Sequence, residues 1–294
     1  MAKLITVDTL EQGSKWCKAL EAGNILFFPT CPFPFPQEEL DFLLAQRQTG
    51  ASNRKNIAYK PQSDRITNFV KSSQAQHDQL LEIMRRYSER VTKLLTTLLP
   101  PYASKWQLDY ASFRPFQEKG RPLRTRARND LLHVDSFPSR PMHGSRILRF
   151  FTNINPKESR HWMTTSCFSE LAAEFGGTEL LPFPKKASLG LHLLKWAKKL
   201  GLPLTLRSPY DTFMLRLHNH LKENEAFQRN CPKDYWEFPP NCCWAVFTDQ
   251  VSHAATAGQY ALEQTLIIPI TALSDPETAP LRVLEKLAGK PLLI

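Results

Sequence analysis

Apolar residues recur with a helical period in the first third of the chain and with the alternation of strands further on. Leu80, Met84, Tyr87, Val91, Leu94 and Leu98 step by three or four. That spacing puts them on one face of a helix predicted over roughly 75–99, with Pro100-Pro101 as its stop. A shorter helix is expected over 9–22, after Asp8. Another opens at Pro36 with Gln37-Glu38-Glu39-Leu40, since proline suits the first helical turn. Between these, Ile25-Leu26-Phe27-Phe28-Pro29 reads as a buried strand. From Trp106 the period shortens to the alternation of Trp106, Leu108 and Tyr110. Strand-like segments follow at 131–135, 146–154, 242–251 and 260–268. The stretch 163–230 reads as helical, with Ser208-Pro209-Tyr210-Asp211 as a capped helix start.

This layout predicts an α+β fold in a single domain over 1–294. A mostly helical N-terminal region, 1–104, packs on a core formed by 105–294. The core is expected to be a double-stranded β-helix (jelly-roll, cupin-like), a small barrel open at one end and interrupted by a helical insert at about 163–230.

Composition narrows the class without fixing the function. Hydrophobic residues make up 42% and charged residues 22%, ordinary values for a soluble enzyme. The formal charge of +10 favours an anionic partner, such as nucleic acid, an acidic substrate or an anionic membrane surface. No apolar run reaches the ~18 residues a membrane-spanning helix needs. The N-terminus lacks the basic-then-apolar pattern of a secretory leader, so the cytoplasm is the expected compartment. The six cysteines (Cys17, Cys31, Cys167, Cys231, Cys242, Cys243) show no C-x2-C spacing. They read as reduced thiols rather than a structural zinc site.

Candidate chemistry centres on His133 and Asp135. Residues i and i+2 of a strand face the same way, so both side chains would point inward. Far downstream, His253 follows the apolar run Cys242–Phe247 and a polar turn. Two imidazoles and one carboxylate form the facial triad that holds non-haem Fe(II) and leaves positions open. A catalytic zinc on the same groups is chemically possible. His161 is the rival third ligand. His218 and His220, two apart on the predicted helix Tyr210–Leu221, read as solvated polar positions; His77, His143 and His192 have no partner pattern.

Oxygenases with this triad usually take 2-oxoglutarate, whose far carboxylate requires a buried cation. No Lys or Arg occurs between His253 and Pro269. Arg149, mid-strand among apolar residues, is therefore the expected anchor, with Asn153 assisting and Arg146 as the alternative on the other face. Gln264 and Thr265 of the last strand are expected to add hydrogen bonds. The run from Lys119 to Arg128, followed by Arg140, reads as a basic funnel to the site. From it Arg126, Arg128 and Arg140 are expected to bind substrate, with Tyr59 and Arg65, near Asp64, from a polar stretch of the N-terminal region. No nucleic-acid motif is visible, so nucleic acid is not an expected partner.

With these residues in place, the chain resembles the bacterial hydroxylases of 3-deoxy-D-manno-oct-2-ulosonic acid (Kdo), which are Fe(II)- and 2-oxoglutarate-dependent dioxygenases. The resemblance is carried by Gly23–Pro29, Lys55–Tyr59, His133–Pro141, Arg146–Pro156, Trp244–His253 and Ala261–Thr265. The most specific part is His133-Val134-Asp135-Ser136-Phe137-Pro138-Ser139-Arg140-Pro141 followed by Asn153-Ile154-Asn155-Pro156. It implies Fe(II) on His133, Asp135 and His253, 2-oxoglutarate and O2 as cosubstrates, and hydroxylation of Kdo at carbon 3 on Kdo-lipid A, in the inner core of lipopolysaccharide. It also implies peripheral contact with the cytoplasmic leaflet of the inner membrane, for which Leu189–Leu202, with its lysines, is a candidate surface. The oligomeric state, a homo-oligomer included, stays open. Two alternatives remain: the same oxygenase core acting on a protein or nucleic acid, and a non-enzymatic barrel that binds an anionic sugar or RNA.

Overall fold

The computed structural model describes residues 1–11, 13–47, 56–70, 73–183 and 206–293. Within them the strands are β1 (Leu4–Thr6), β2 (Ile25–Phe28), β3 (Ile57–Lys60), β4 (Arg65–Thr67), β5 (Gln107–Arg114), β6 (Arg146–Asn153), β7 (Arg160–Cys167), β8 (Asp234–Phe238), β9 (Cys243–Phe247), β10 (Val251–Ala257) and β11 (Ala261–Ile268). They form two sheets. The larger runs in the order β1-β2-β9-β6-β11-β5-β3-β4, the smaller β10-β7-β8. The β1–β2 pair is parallel and the other pairings are antiparallel.

The large sheet buries both faces, which explains why its central strands read as apolar runs. One face carries Leu148, Phe150, Ala245, Phe247, Leu262 and Leu266 against Leu80, Met84, Tyr87 and Val91 of the Gln74–Leu98 helix. That helix starts at Ser73, whose side chain accepts from the Gln76 amide, and its apolar stripe is the one the spacing predicts. The opposite face turns Phe151, Trp244 and Val246 toward Trp162, Phe238 and Val251 of the small sheet. Trp244 stacks on Phe238 with 3.9 Å between ring centroids. The two sheets facing each other form the double-stranded β-helix, and the candidate site lies between them.

Several expected elements take a different form. The segment 131–135 is not a full strand: it makes one isolated bridge, His133 to His253. The run 242–251 is two strands, β9 and β10, divided by a turn at Thr248–Gln250 and sent to opposite sheets. His253 thus lies inside β10, not at a strand's end. The region 1–104 is more than a helical cap, since β1–β4 extend the large sheet at both ends. The stretch 163–230 begins as β7, and helices Phe168–Phe175, Pro209–Glu223 and Glu225–Asn230 follow. The Pro209–Glu223 helix has the expected cap: Ser208 accepts from the Asp211 amide, and Asp211 accepts from the Ser208 amide. Pro100-Pro101 ends the long helix and also starts a single helical turn, Pro100–Ala103. Leu189–Leu202 and His192 lie outside the described residues.

Candidate active site

Between the sheets lies a cavity of ≈ 320 Å³. Alternation along each strand decides which side chains reach it. Ser112 and Arg114 of β5, Arg149 and Phe151 of β6, Arg160 and Trp162 of β7, and Glu263 and Thr265 of β11 line it. Their neighbours Phe113, Phe150 and Leu262 face the opposite core.

His133, Asp135 and His253 all line this cavity and all are buried. The bridge is reciprocal: the His133 amide donates to the His253 carbonyl at 3.1 Å, and the His253 amide to the His133 carbonyl at 2.9 Å. The two imidazoles therefore lie side by side, 4.8 Å between centroids. Asp135 follows on the same face, its Oδ1 3.5 Å from His133 Nε2. Its amide donates to the Thr248 carbonyl at 2.7 Å.

Among the described residues the metal-sized group of donor atoms takes in His218 in place of His253. His218, from the Pro209–Glu223 helix, is buried and packs edge-on against His133 at 4.9 Å. Donor atoms of His133, Asp135 and His218 lie within 4.8 Å of one another. The expectation that His218 is solvated is overturned. Its neighbour His220 is partly exposed and packs on Phe175 at 5.1 Å. His161, the rival ligand, is exposed on the outer face of β7.

The donor set suits a metal ion. Nδ1 of His133, His253 and His218 lies 2.7–2.8 Å from the backbone carbonyls of Leu131, Val251 and Val134 respectively. A carbonyl only accepts, so Nδ1 carries the proton and each Nε2 is left as a lone-pair donor. Burial pushes the His133 and His253 imidazoles below their ordinary range, and His218 down to about 4, keeping them neutral. Burial acts to raise the Asp135 carboxyl, but the Arg149 guanidinium outweighs it and holds the group well below the carboxylate range. Asp135 Oδ2 is buried and accepts no hydrogen bond, with the misaligned Arg149 Nε 3.3 Å away, so it keeps a lone pair for a metal ion.

The cavity is rich in cations: Arg114, Arg126, Arg140, Arg149, Arg160 and Lys222 line it, against the acids Asp135 and Glu263. Arg149 Nε lies 3.3 Å from Asp135 Oδ2, and its Nη1 3.6 Å from Glu263 Oε1. Neither contact has the alignment or distance of a hydrogen bond, so Arg149 Nε is in ion-pair reach of Asp135 but donates no hydrogen bond. Arg160 Nε and Trp162 Nε1 are likewise buried donors without partners in this wall. The sequence reading missed Arg160, Trp162, Arg114 and Lys222. The lone Arg160 beside a tryptophan in an alternating run was the available signal.

Other expected residues stand elsewhere. Asn153 lies beyond the cavity, its amide donating to the carbonyls of Glu158, Phe238 and Pro239, so it holds a turn. Gln264 points to the opposite face and donates to the Asp109 and Thr265 carbonyls, while Thr265 does line the cavity. Arg146, fully buried, is bound to Asp249 at 2.8 Å. Tyr59 is part of the helix-side core and donates to Asp64 at 2.9 Å. Arg65 is exposed on β4, and Arg128 pairs with Asp130 outside the cavity lining. Arg126 and Arg140 do line it, Arg126 bound to Glu223 and Arg140 to Asp109 and over the Tyr110 ring.

The model of the 3-deoxy-D-manno-oct-2-ulosonic acid (Kdo) hydroxylase family matches residues 5–291. The chain belongs to this family. Among solved structures, the apo form of the Kdo hydroxylase KdoO, a non-haem Fe(II) α-ketoglutarate-dependent dioxygenase, is similar with a TM-score of 0.85 at 36% identity. That match covers 99% of this chain and 97% of that one. KdoO in complex with α-ketoglutarate and Fe(III) gives 0.84 at 36% identity over the same shares. Its complex with succinate and Fe(III) gives 0.83 at 35%, again over 99% and 97%. No curated protein matches the chain. As a Kdo hydroxylase family member, it carries on its own strands and insert helix the donor groups described above.

Proposed function

We propose that this Fe(II)- and 2-oxoglutarate-dependent dioxygenase hydroxylates Kdo at carbon 3 within a Kdo-lipid A glycolipid. The observation that carries the reading is the convergence of neutral imidazoles and a carboxylate oxygen that accepts no hydrogen bond inside a cationic cavity, in a Kdo hydroxylase family chain. His133, Asp135 and His253 hold the metal. That ion would supply the oxidising chemistry together with 2-oxoglutarate and O2, and His218 would stand beside it in the cavity wall.

With the metal bound, Fe(II), 2-oxoglutarate and O2 together replace a C–H bond by C–OH and yield succinate and CO2. The chain's own part is placement. The backbone carbonyls behind each Nδ1 fix the imidazole planes. Arg149, with the unpartnered donors of Arg160 and Trp162 nearby, receives the far carboxylate of 2-oxoglutarate. Phe137, Phe151 and Trp162 exclude water from the wall. Arg126, Arg140 and Lys222 draw the carboxylate of Kdo to the mouth. The lipid portion stays at the membrane surface, and the +10 charge favours contact with anionic lipids there. Among the described residues no helix is long and apolar enough to cross a membrane.

Anaerobic titration with Fe(II) and 2-oxoglutarate tests this reading. A weak visible charge-transfer band is expected for the unaltered chain and its loss for His133→Ala and His253→Ala. Arg149→Ala should keep metal binding while raising the 2-oxoglutarate KM by roughly tenfold to a hundredfold, the loss of a charge-assisted contact of about 1.5–3 kcal/mol. A normal band in His133→Ala would sink the ligand assignment.

A further inference from the structure

Behind the cavity wall stands an acid that does not reach the cavity itself. Glu118, in the turn after β5, is buried and is not among the residues that line the hollow, yet two of the lining cations converge on it. Arg114 Nη1 donates to its Oε1 at 3.0 Å, and Arg160 Nη2 donates to the same oxygen at 3.1 Å. Arg121 Nη1 donates to Oε2 at 3.1 Å. One carboxylate thus ties the end of β5 to the start of β7.

The neighbouring turn fixes the same cluster. Gly258, between β10 and β11, takes a φ of +113°, which favours glycine, and a Cβ there would stand 2.9 Å from the Arg160 Cα and Cγ. Its carbonyl accepts from the Glu118 amide at 3.1 Å and from Arg160 Nη1 at 3.2 Å. Both terminal nitrogens of Arg160 are therefore engaged, while its buried Nε donates no hydrogen bond. Arg114 gives Nε and Nη2 to Glu263 at 3.0 and 2.7 Å, and Glu263 lies 3.6 Å from Arg149. Glu118 is joined to Arg160 directly, and to Arg149 through Arg114 and Glu263.

Charge points the same way. With Asp135 given to the metal, the guanidinium groups of Arg114, Arg121, Arg149 and Arg160 outnumber the carboxylates of Glu118 and Glu263 in this cluster. The positive excess suits an anion in the cavity. Burial acts to lower the Arg160 guanidinium, Arg114 adds to that, and Glu118 is the largest opposing influence. Without the Glu118 charge, two like charges that now meet on one oxygen would lose the group that holds them together.

We infer that Glu118 is a positioning residue for the cosubstrate: it touches no ligand, and it holds Arg160 and Arg114 in place so that the wall receives the far carboxylate of 2-oxoglutarate. This rests on the reading of that wall as the 2-oxoglutarate anchor.

Calorimetry on the Co(II)-loaded full chain tests the inference without turnover. The probes are 2-oxoglutarate and pyruvate, which has the keto acid end but no second carboxylate. Glu118→Gln should weaken 2-oxoglutarate binding about tenfold and leave the Kd for pyruvate and for Co(II) unchanged. Glu118→Asp, which keeps the charge at shorter reach, should show a smaller and equally selective loss. Normal 2-oxoglutarate binding in Glu118→Gln, or an equal loss of pyruvate and Co(II) affinity in both variants, would overturn the inference and leave the anchor reading standing. A normal 2-oxoglutarate Kd in Arg149→Ala beside a selective loss in Glu118→Gln would overturn the assignment to Arg149 and keep Glu118 in its role through Arg160. An unaltered chain that binds 2-oxoglutarate no more tightly than pyruvate would overturn both.

Discussion

Among individual residues, side chains of one type part ways according to where their strands point them. Arg149, Arg146 and Arg160 are all strand arginines, yet Arg146 is locked to Asp249 and Arg149 has no hydrogen-bonded partner. The sequence made Arg149 legible as an inward cation through its place among apolar neighbours. Asn153 shares the phase of Arg149 but lies at the end of β6, past the cavity, and Gln264 sits mid-strand between the cavity-facing Glu263 and Thr265, so it faces the other way. His218 was read as solvated from helix periodicity, whereas the insert helix folds back on the site and buries it. Glu118 is a buried acid held by Arg114 at 3.0 Å, Arg121 at 3.1 Å and Arg160 at 3.1 Å. Burial acts to raise its carboxyl, and the three guanidinium groups outweigh that, bringing it down to about 2. A carboxyl lowered by folding contributes stability that is complete above its ordinary value and lost as pH falls through the folded one. Glu118→Gln should therefore flatten the loss of stability between about pH 4.5 and 2, as read by urea unfolding at a series of pH values. An unchanged acid limb would contradict the charge pairing.

At the level of elements, the segment carrying two of the proposed ligands is held on one edge by β10 through a single bridge. Its other edge is closed by side chains of the insert. Gln228, on the Glu225–Asn230 helix, accepts from the Leu132 amide at 3.0 Å and donates to the Leu132 carbonyl at 2.9 Å. Its amide stands in for a neighbouring strand. His218 contributes similarly at the Val134 carbonyl. Gln228→Leu should leave both Leu132 groups unsatisfied, at about 1–3 kcal/mol, and weaken Co(II) binding about tenfold without touching any cavity residue. Unchanged Co(II) affinity, measured by calorimetry, would show that the insert does not hold this segment. This arrangement also explains why 131–135 resembled a strand in sequence yet is not one: its partner on the outer side is a helix. β7 and β8 were hidden for a related reason. Their outward positions are polar or aromatic, such as His161 and Tyr235, so their runs lack the apolar continuity of β6 and β9.

For the molecule as a whole, the two-faced large sheet separates stability from chemistry. Its helix side holds the apolar core, and its other side supplies the cavity wall. The β-helix core and long helix were legible because burial on both faces leaves long apolar runs and a clean helical stripe. The joining of β1–β4 to that sheet was not, since three- and four-residue strands carry too short a pattern. The net charge of +10 becomes local here, with six cations lining one cavity. The most direct test of the central claim is mass spectrometry of the Kdo-lipid A product formed under isotopically heavy O2 with Fe(II) and 2-oxoglutarate. One heavy oxygen atom at carbon 3 of Kdo, matched by one in succinate and absent with His133→Ala, is the predicted result. Succinate formed without any gain of oxygen on the glycolipid would contradict it.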